Sequence, residues 1–369
     1  MVEEALSQSN PLMKGLKSII NFFKKPMVKY IFVRLFNSII TLFLIVAAVF
    51  LLMRLIPESR YIDYETINRQ PPQIRERLIQ AELERIGRDK PALVQLGDYF
   101  KWILPFEDTV CVDTAYTPGT YEPICEEYAT YRIYFGTSIT YSPGREVMPL
   151  ILERFPISFM ISILALIITY IVSLPLGVYM AKNKGGWVDR IGNGYIVLTS
   201  AVPALVFYYL WQILGMRVGL SGFFDIYDVT SWIMPVWAIA FLSIAGQTLW
   251  VRRFMVDEMN ADYVKFSRST GISEQSIMFK HVLRNAIVPL IRRIPSALIF
   301  AVVGSYFVES LWNIGGSGTL FIDALQNKPD TVLVQALTIV YSSMSIIANL
   351  LGDIITVFFD PRISLTKNK

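Results

Sequence analysis

The chain has 369 residues, of which 53% are hydrophobic and only 17% are charged, whereas about 25% of the residues of an average soluble domain are charged. The apolar residues occur in long unbroken runs, which excludes a disordered chain, a small disulfide-stabilised domain and most classes of soluble enzyme. The net charge of +4 does not favour nucleic-acid binding, and one histidine with two cysteines argues against a metal cluster or a histidine-based catalytic triad. These exclusions leave a membrane protein with several transmembrane spans.

Six apolar stretches are long enough to cross a bilayer, which takes roughly 20 residues in a helix. They cover residues 36–56, 156–181, 195–216, 232–251, 294–312 and 331–359. We therefore predict an all-α membrane protein with six transmembrane helices. The first helix is assigned to residues 30–56, and the other five form a core within residues 151–365. Pro175, Pro203 and Pro235 are expected to kink their helices.

Lysine and arginine residues are concentrated on one side of these spans, and that side is predicted to be the cytoplasm. They precede the first span, separate spans two and three, fill the segment between spans four and five, and follow the last span. Both termini are therefore predicted to be cytoplasmic. Residues 57–150 form an extracellular segment, because a loop of this length is translocated largely regardless of its charge. Residues 1–29 predict either an amphipathic helix on the inner membrane surface or a mobile basic tail.

Two helices are predicted in the extracellular segment. Residues 72–88 have apolar side chains at helical spacing, Pro72 at the start and Gly87 as a stop signal. A second short helix follows Lys90 and Pro91 and extends to Trp102. Residues 104–133 then form an insertion that is predicted to be a loop with strands at most, so the segment as a whole is expected to be α-helix and loop.

Both cysteines, Cys111 and Cys125, lie in this insertion. An extracellular location favours a disulfide, and closing a loop of roughly 15 residues would stabilise the fold by about 3 kcal/mol in the chain-entropy model. Two free thiols are the alternative. No metal site is expected, because no histidine or further cysteine lies nearby.

The cytoplasmic segment between spans four and five, residues 252–289, predicts two helices joined at a glycine. Asn260 is a suitable N-cap for the first helix, and Gly271 can adopt the left-handed conformation that ends it. Ser273 can cap a second helix that runs to about Ala286, before Pro289. Met259, Tyr263 and Phe266 are spaced to share one apolar face of the first helix. Either a partner protein or the other cytoplasmic loops cover this face.

The same segment resembles the coupling loop of ABC-importer permeases of the dipeptide and oligopeptide type. The resemblance rests on Asp262-Tyr-Val-Lys-Phe-Ser-Arg-Ser-Thr-Gly271 followed by His281-Val-Leu-Arg-Asn-Ala-Ile-Val-Pro289. Further motifs agree in order and spacing, among them Tyr30-Ile-Phe-Val-Arg34, Trp187-Val-Asp189-Arg190 and the stretch from Gly304 to Gly318. The chain departs from the family at Lys265-Phe266-Ser267, at Gly315-Gly316 and in the insertion. It is similar to the first, B-type permease subunit of such importers, which implies the MetI-like type I architecture and a bacterial cytoplasmic membrane.

The resemblance implies two sets of functional residues. The helix at residues 261–270 would couple to a separate ATPase through Met259, Asp262, Tyr263, Lys265, Phe266, Ser267, Arg268 and Gly271. The gate or pathway candidates are Glu309, Gly304, Gly316 and Asp353. For Glu309 the simpler reading is a side chain that reaches water at the outer end of its span, and for Asp353 it is an ion pair within the bundle.

The implied function is ATP-driven peptide import by alternating access, with no covalent step and no cofactor in this chain. The sequence has no G-x-x-x-x-G-K-[ST] motif, so ATP would be bound by partners. The implied partners are a second homologous permease, two ATP-binding subunits, an extracellular peptide-binding lipoprotein and the lipid bilayer. Related permeases carry nickel complexes or glutathione, and these substrates stay open. A secondary transporter and a receptor with an extracellular binding domain are alternatives from other classes.

Overall fold

The computed structural model of the protein describes residues 26–105, 107–116, 123–326 and 328–359. Most of the predicted surface helix at residues 1–29 and the family motif at residues 359–363 lie outside these ranges. The described chain is helical apart from one pair of strands. The helices are α1 (Pro26–Arg54), α2 (Tyr64–Asn68), α3 (Pro72–Arg85), α4 (Ala92–Ile103), α5 (Val147–Lys182), α6 (Trp187–Ala201), α7 (Ala204–Arg217), α8 (Ile233–Met259), α9 (Asp262–Ser269), α10 (Glu274–Ser276), α11 (Leu283–Gly304), α12 (Tyr306–Leu311), α13 (Ser317–Asp323) and α14 (Thr331–Phe359), and the strands are β1 (Asp108–Tyr116) and β2 (Pro123–Tyr131).

Five helical segments are long and apolar enough to cross a membrane, and the pair α6 and α7 makes a sixth if it is counted as one span. The two helices of this pair are bent by 107° at a short break. Val202 and Pro203 form the break, because proline has no amide hydrogen and disfavours the helical conformation of the residue before it. The predicted helical membrane fold is confirmed, and the structure has the predicted six spans when the broken pair α6 and α7 is counted as the third span.

The predicted helix end before Pro289 is wrong. The chain remains helical from Glu274 through a π-helical turn, Ile277–Val282, and on through α11 to Gly304. Val282, Ala286 and Leu290 are buried at intervals of four residues, so packing of one continuous face maintains the helix across the proline. The fifth span therefore begins in the cytoplasmic segment, and it is interrupted only near Ser305, where α12 begins.

The outer segment is attached to the end of α1 by two arginines. Arg88 donates hydrogen bonds to the carbonyls of Met53 at 3.0 Å and Ile56 at 2.7 Å, which lie at the C-terminal end of α1. Arg54 donates in turn to the carbonyls of Gly87 at 3.1 Å and Lys90 at 2.8 Å. Gly87 has φ of +64°, which suits its predicted role as the stop of α3.

The insertion is an antiparallel hairpin in which Asp108 pairs with Tyr131 and Tyr116 pairs with Pro123. Both strands contain several β-branched and aromatic residues, which favour a strand. The register is irregular between Cys111 and Thr114, as at a β-bulge. Cys125 is disulfide-bonded, and Cys111 is the other cysteine of the chain.

Asp330 links this outer segment to the last span. Its carboxylate is fully buried and accepts hydrogen bonds from the Ser138 hydroxyl at 2.6 Å and from the amides of Ile139, Thr140 and Tyr141 at 2.9 to 3.1 Å. Its other oxygen accepts from the amide of Leu333 at 3.0 Å, as an N-cap of α14 does. No local pattern pointed to this junction, because the two segments are far apart in the chain.

At the opposite end of the bundle, an apolar core joins α5, α8, α9 and α11. We call it the inner cluster, and its buried members are Val178, Ala181, Val251, Met255, Val264, Ile277, Met278, Val282, Ala286 and Leu290. The cytoplasmic segment is therefore packed against the ends of three spans and does not extend freely from them.

We expect the two cysteines to be bonded to each other. In right-side-out vesicles, neither should react with a membrane-impermeant maleimide until a reductant is added, because a disulfide leaves no thiolate to attack the reagent. A cysteine placed at the exposed Lys328 in a cysteine-free background is the control for access from the outside. Equal labelling of the native cysteines with and without reductant would contradict the pairing.

Replacing Asp330 by alanine should loosen the outer segment. The substitution leaves several buried donors without an acceptor, and we expect it to lower the free energy of unfolding by about 3 kcal/mol. Hydrogen exchange at the amides of residues 139–141 should accelerate in the variant. Asp323→Ala is the matched control, because Asp323 is exposed on the same side of the protein. Unchanged exchange in Asp330→Ala would show that the carboxylate does not hold this segment.

Candidate functional site

The short helix α9 has one face against the bundle and one face open. Val264 is fully buried in the inner cluster and Ser267 is 8% exposed, and the Ser267 hydroxyl donates to the carbonyl of Tyr263 at 2.8 Å. The bounds of α9 agree with the predicted helix. Its position places an exposed helical surface directly beneath the ends of α5, α8 and α11.

The three predicted apolar residues do not share one outward face. Met259 and Tyr263 pack against the inner cluster, and the Tyr263 hydroxyl donates to Glu258 at 2.7 Å. Phe266 is 70% exposed. Successive residues of an α-helix are rotated by about 100°, so Phe266 lies about 160° around the helix from the buried Val264. Met259 belongs to α8, whose end at that residue breaks the helical register on which the prediction relied.

The open face of α9 combines this aromatic ring with charged side chains. Lys265 donates to Asp262 at 2.8 Å, and this hydrogen bond lowers the pKa of the Asp262 carboxyl. Arg268 donates to Glu274 at 2.6 Å, which raises the pKa of Arg268 and ties the end of α9 to α10. Lys265, Phe266 and Arg268 are all exposed, so this surface can contact another protein through one large apolar group with cations beside it.

Gly271 directs the chain from α9 into the next helix. Its φ is +79°, a conformation that costs a residue with a Cβ roughly 1–2 kcal/mol. The amide of Gly271 donates to the carbonyl of Arg268 at 3.1 Å, and that of Ile272 to Ser267 at 3.3 Å. Ser273 then caps α10, as predicted. The turn holds α9 at a fixed angle to the long helix that continues into the fifth span.

A buried ion pair anchors α6 to α8 next to this site. The Asp189 carboxylate accepts from the Arg252 guanidinium at 2.6 Å and 2.9 Å, from the amide of Gly185 at 2.9 Å and from Asn193 at 3.1 Å. The side chain of Asp189 is 5% exposed and that of Arg252 is 21% exposed. Sequence reasoning noticed Asp189 only within a family motif and did not identify its partner, which is 63 residues away.

Glu309 lies in a buried junction and does not reach water at the outer end of its span. It is 1% exposed and accepts from Ser158 at 2.6 Å, from Ser305 at 2.5 Å and from the amide of Thr319 at 2.8 Å. A Cβ on Gly316 would lie 2.5 Å from its carboxyl carbon, so glycine is required for this close approach. As a correction to the sequence reading, Glu309 and Gly316 therefore join α5, α12 and α13 and do not line an open surface.

The other two gate candidates are separate from this junction. Gly304 is the last residue of α11. Asp353, on α14, is paired with Arg34 of α1 and with Arg292 of α11, the latter at 3.1 Å. This is the ion pair within the bundle that was the simpler expectation for Asp353, and it connects three helices near their cytoplasmic ends. Among the described residues, no group of three or more His, Cys, Asp or Glu side chains could hold a metal ion.

Comparison with known proteins gives similarities over both halves of the chain. The family model for the inner membrane component of binding-protein-dependent transport systems matches residues 173–365. The chain is 32% identical over 208 residues to the oligopeptide transport system permease protein AmiC of Streptococcus pneumoniae, which covers 56% of this chain and 42% of that protein. It thus spans less than half the length of AmiC.

Two further similarities cover more of the matched protein. The chain is 28% identical over 345 residues to the dipeptide transport system permease protein DppB of Lactococcus lactis, covering 92% of this chain and 100% of DppB. Among solved structures, an inward-facing form of the MetNI methionine ABC transporter is similar over 58% of this chain and 97% of that chain, with a TM-score of 0.49 and 14% identity.

Breaking the Asp189 ion pair should destabilise the cytoplasmic end of the bundle. Asp189→Ala leaves the partly buried Arg252 without its acceptor, and we expect a loss of about 3 kcal/mol in the free energy of unfolding. The measurement is denaturant unfolding of the purified protein in detergent. Asp262→Ala removes an exposed carboxylate of the same region and should leave the midpoint of denaturant unfolding unchanged. Equal midpoints for Asp189→Ala and wild type would show that this pair is not an anchor.

Proposed function

This chain belongs to the family of binding-protein-dependent transport system inner membrane components, and from that premise we propose that it is a permease subunit of an ATP-driven peptide importer. The family confirms the resemblance found in the sequence. It also makes the chain a multi-pass protein of the bacterial cytoplasmic membrane. Peptide is the proposed substrate, because the relatives that match over most of their lengths include a dipeptide transport system permease.

The observation that carries the proposal is the position of α9. Its buried side is part of the inner cluster that also contains Val251 of α8 and Leu290 of α11, while its other side presents Phe266 to solvent. A protein that pushes on this helix moves the ends of the spans packed on it, because a close-packed core transmits displacement and compresses little. This is the arrangement required of a coupling element between a separate ATPase and the membrane helices.

We propose that the chain carries out no chemical step. Its transport cycle is alternating access, in which a cavity between two permease subunits opens to one side of the membrane at a time. Two ATP-binding subunits would supply the energy by closing and parting on the cytoplasmic side, and an extracellular binding protein would deliver the substrate. Met259, Tyr263 and Ser267 then act by fixing α9 to the bundle, whereas Lys265, Phe266 and Arg268 form the ATPase contact.

Two kinds of alternative to a peptide importer can be tested separately: permeases for other substrates, and proteins that use no ATPase. Permeases for nickel complexes or glutathione would show the same coupling helix, so substrate competition in uptake assays separates them from a peptide importer. A secondary transporter or a receptor would purify without ATPase subunits. The exposed face of α9 favours the importer over both, because only the importer requires a partner protein on a helix that is packed against the ends of the spans.

Phe266→Ala should weaken the contact with the ATPase. An aromatic residue that becomes buried in a small interface contributes a large part of its affinity, so we expect the dissociation constant of the ATPase contact to rise about thirtyfold, which corresponds to about 2 kcal/mol. The measurements are ATPase co-purification and ATP-dependent peptide uptake in reconstituted vesicles. The variant should insert and fold normally, because the side chain is 70% exposed.

The matched control is Phe223→Ala, since Phe223 is also 70% exposed but lies on the predicted extracellular side. That variant should retain its ATPase subunits. If Phe266→Ala keeps normal recruitment and normal uptake, then α9 is not the coupling element, and the proposal would lose its structural support.

A further inference from the structure

One face of α8 carries small and polar residues that remain exposed, from the inner half of the membrane span into the turns that follow it. Ser243, Gly246, Arg253 and Asp257 are exposed and Trp250 is half-buried, and their spacing of three and four residues places them on one side of the helix. A Cβ built on Gly246 meets no atom within 4 Å. Polar side chains within a span face the bundle interior or a water-filled cavity, not lipid.

The neighbouring helix α5 shows the opposite pattern. Its exposed residues include Met160, Leu164, Ile167 and Ile171, which are 39% to 66% exposed and apolar, as suits contact with lipid or with another subunit. This face of α8 is therefore better suited to water than the exposed face of α5. In the proposed transporter, that face would border the translocation pathway.

Two arginines meet on the indole ring of Trp250 at the cytoplasmic end of this face. The guanidinium carbon of Arg293, on α11, lies 4.3 Å from the ring centroid, and that of Arg253 lies 5.3 Å from it. The ring of Phe254 stacks on Trp250 with centroids 5.6 Å apart. Cation–π contacts hold a guanidinium against a ring face, and the N–H groups at its edge remain able to donate.

Each of these arginines follows an arginine that is paired with an acid. Arg252 is bound to Asp189 and Arg292 to Asp353. In contrast, over residues 26–105, 107–116, 123–326 and 328–359 no carboxylate lies within the 4.0 Å of an ion pair from Arg253 or Arg293. Two like charges on one ring repel each other, so this arrangement is stabilised when an anion binds between them.

Two further donors nearby have no acceptor. The amide nitrogen of Gln247, one helical turn from Trp250, and the hydroxyl of Tyr170 are buried without a hydrogen-bond partner in the described part of the chain. The charge of Arg293 acts on the Tyr170 hydroxyl. A buried donor without an acceptor costs about 1–3 kcal/mol, so these two groups favour a polar ligand in this part of the bundle.

We propose that Arg253 and Arg293, held on Trp250, bind the carboxylate of the transported substrate in the cytoplasmic half of the pathway. Guanidinium groups recognise carboxylates through paired N–H···O bonds, and every peptide with a free C-terminus carries one. The inference rests on the proposed function and extends it, because it assigns a substrate feature to named residues. Inner-leaflet phospholipid is the other source of an anion at this depth, and the experiment separates the two.

The test compares two peptides of one neutral sequence, one with a free C-terminal carboxylate and one with a C-terminal amide. Uptake is measured in vesicles that contain the complete importer complex, formed from zwitterionic lipid alone or with added anionic lipid.

Arg293→Gln should raise the KM for the free-acid peptide about tenfold, as expected when a hydrogen bond to a charged group is lost. The KM for the amide should stay unchanged. Arg293→Lys should restore part of the preference for the free-acid peptide over the amide. Arg217→Gln, at an exposed arginine at the end of α7, is the control and should change neither.

Each other outcome overturns the inference in a recognisable way. An equal loss for both peptides means that Arg293 has only a structural role. A loss that depends on anionic lipid and not on the peptide terminus means that the site binds phospholipid. Unchanged kinetics for both peptides in Arg293→Gln and in Arg253→Gln mean that the arginines bind no substrate. If the wild-type complex transports neither peptide, the proposed function itself fails, and the inference fails with it.

Discussion

A carboxylate removed from water must find hydrogen-bond donors, and in this bundle that requirement decides which distant segments meet. Asp189 holds Arg252 across 63 residues, Glu309 holds Ser158 across 151, and Asp330 holds the segment after Ser138 across 192. Each of these acids is buried. In an apolar surrounding an unpaired charge is far more costly than in water, so an alternative packing that separates these partners is strongly disfavoured.

The sequence predicts what is local and misses what these pairs create. The spans follow from the length of apolar runs, and α9 follows from an N-terminal acid and from Gly271, because each signal lies within a few residues of the structure it determines. The partner of Asp330 and that of Glu309 depend on how helices pack, which no local pattern encodes. The same limit explains the error at Pro289, where burial of Ala286 and Leu290 outweighs the local tendency of proline to end a helix.

The candidate site was predicted in position but not in orientation. Residue types and spacing located the helix and its turn, but the predicted N-cap was wrong: Ala261 precedes the helix, and the Asn260 side chain donates to the carbonyl of Val256 at 3.0 Å. The spacing of three residues placed Tyr263 and Phe266 on one face. The neighbours of so short a helix decide which side of it is buried, so the spacing alone did not predict its orientation. Val264, which has no distinguishing feature in the sequence, occupies the inner cluster, and this contact turns Phe266 outward. The burial of Val264 therefore decides which face of α9 is available to a partner, and the sequence pattern had not identified that residue.

The inner cluster that supports α9 and the proposed carboxylate site lie on the same turns of α8 and α11. Val251 and Leu290 belong to the inner cluster, and Trp250 and Arg293 are one and three residues away along the chain. A displacement of α9 that shifts α8 against α11 must therefore change the separation of Trp250 and Arg293. A ligand can be released by such a shift only if its affinity differs between the two arrangements, and a pair of guanidinium groups divided between two helices has this property. In the proposed mechanism, a step that opens the pathway towards the cytoplasm would also weaken the hold on the substrate, and release would not require a separate switch.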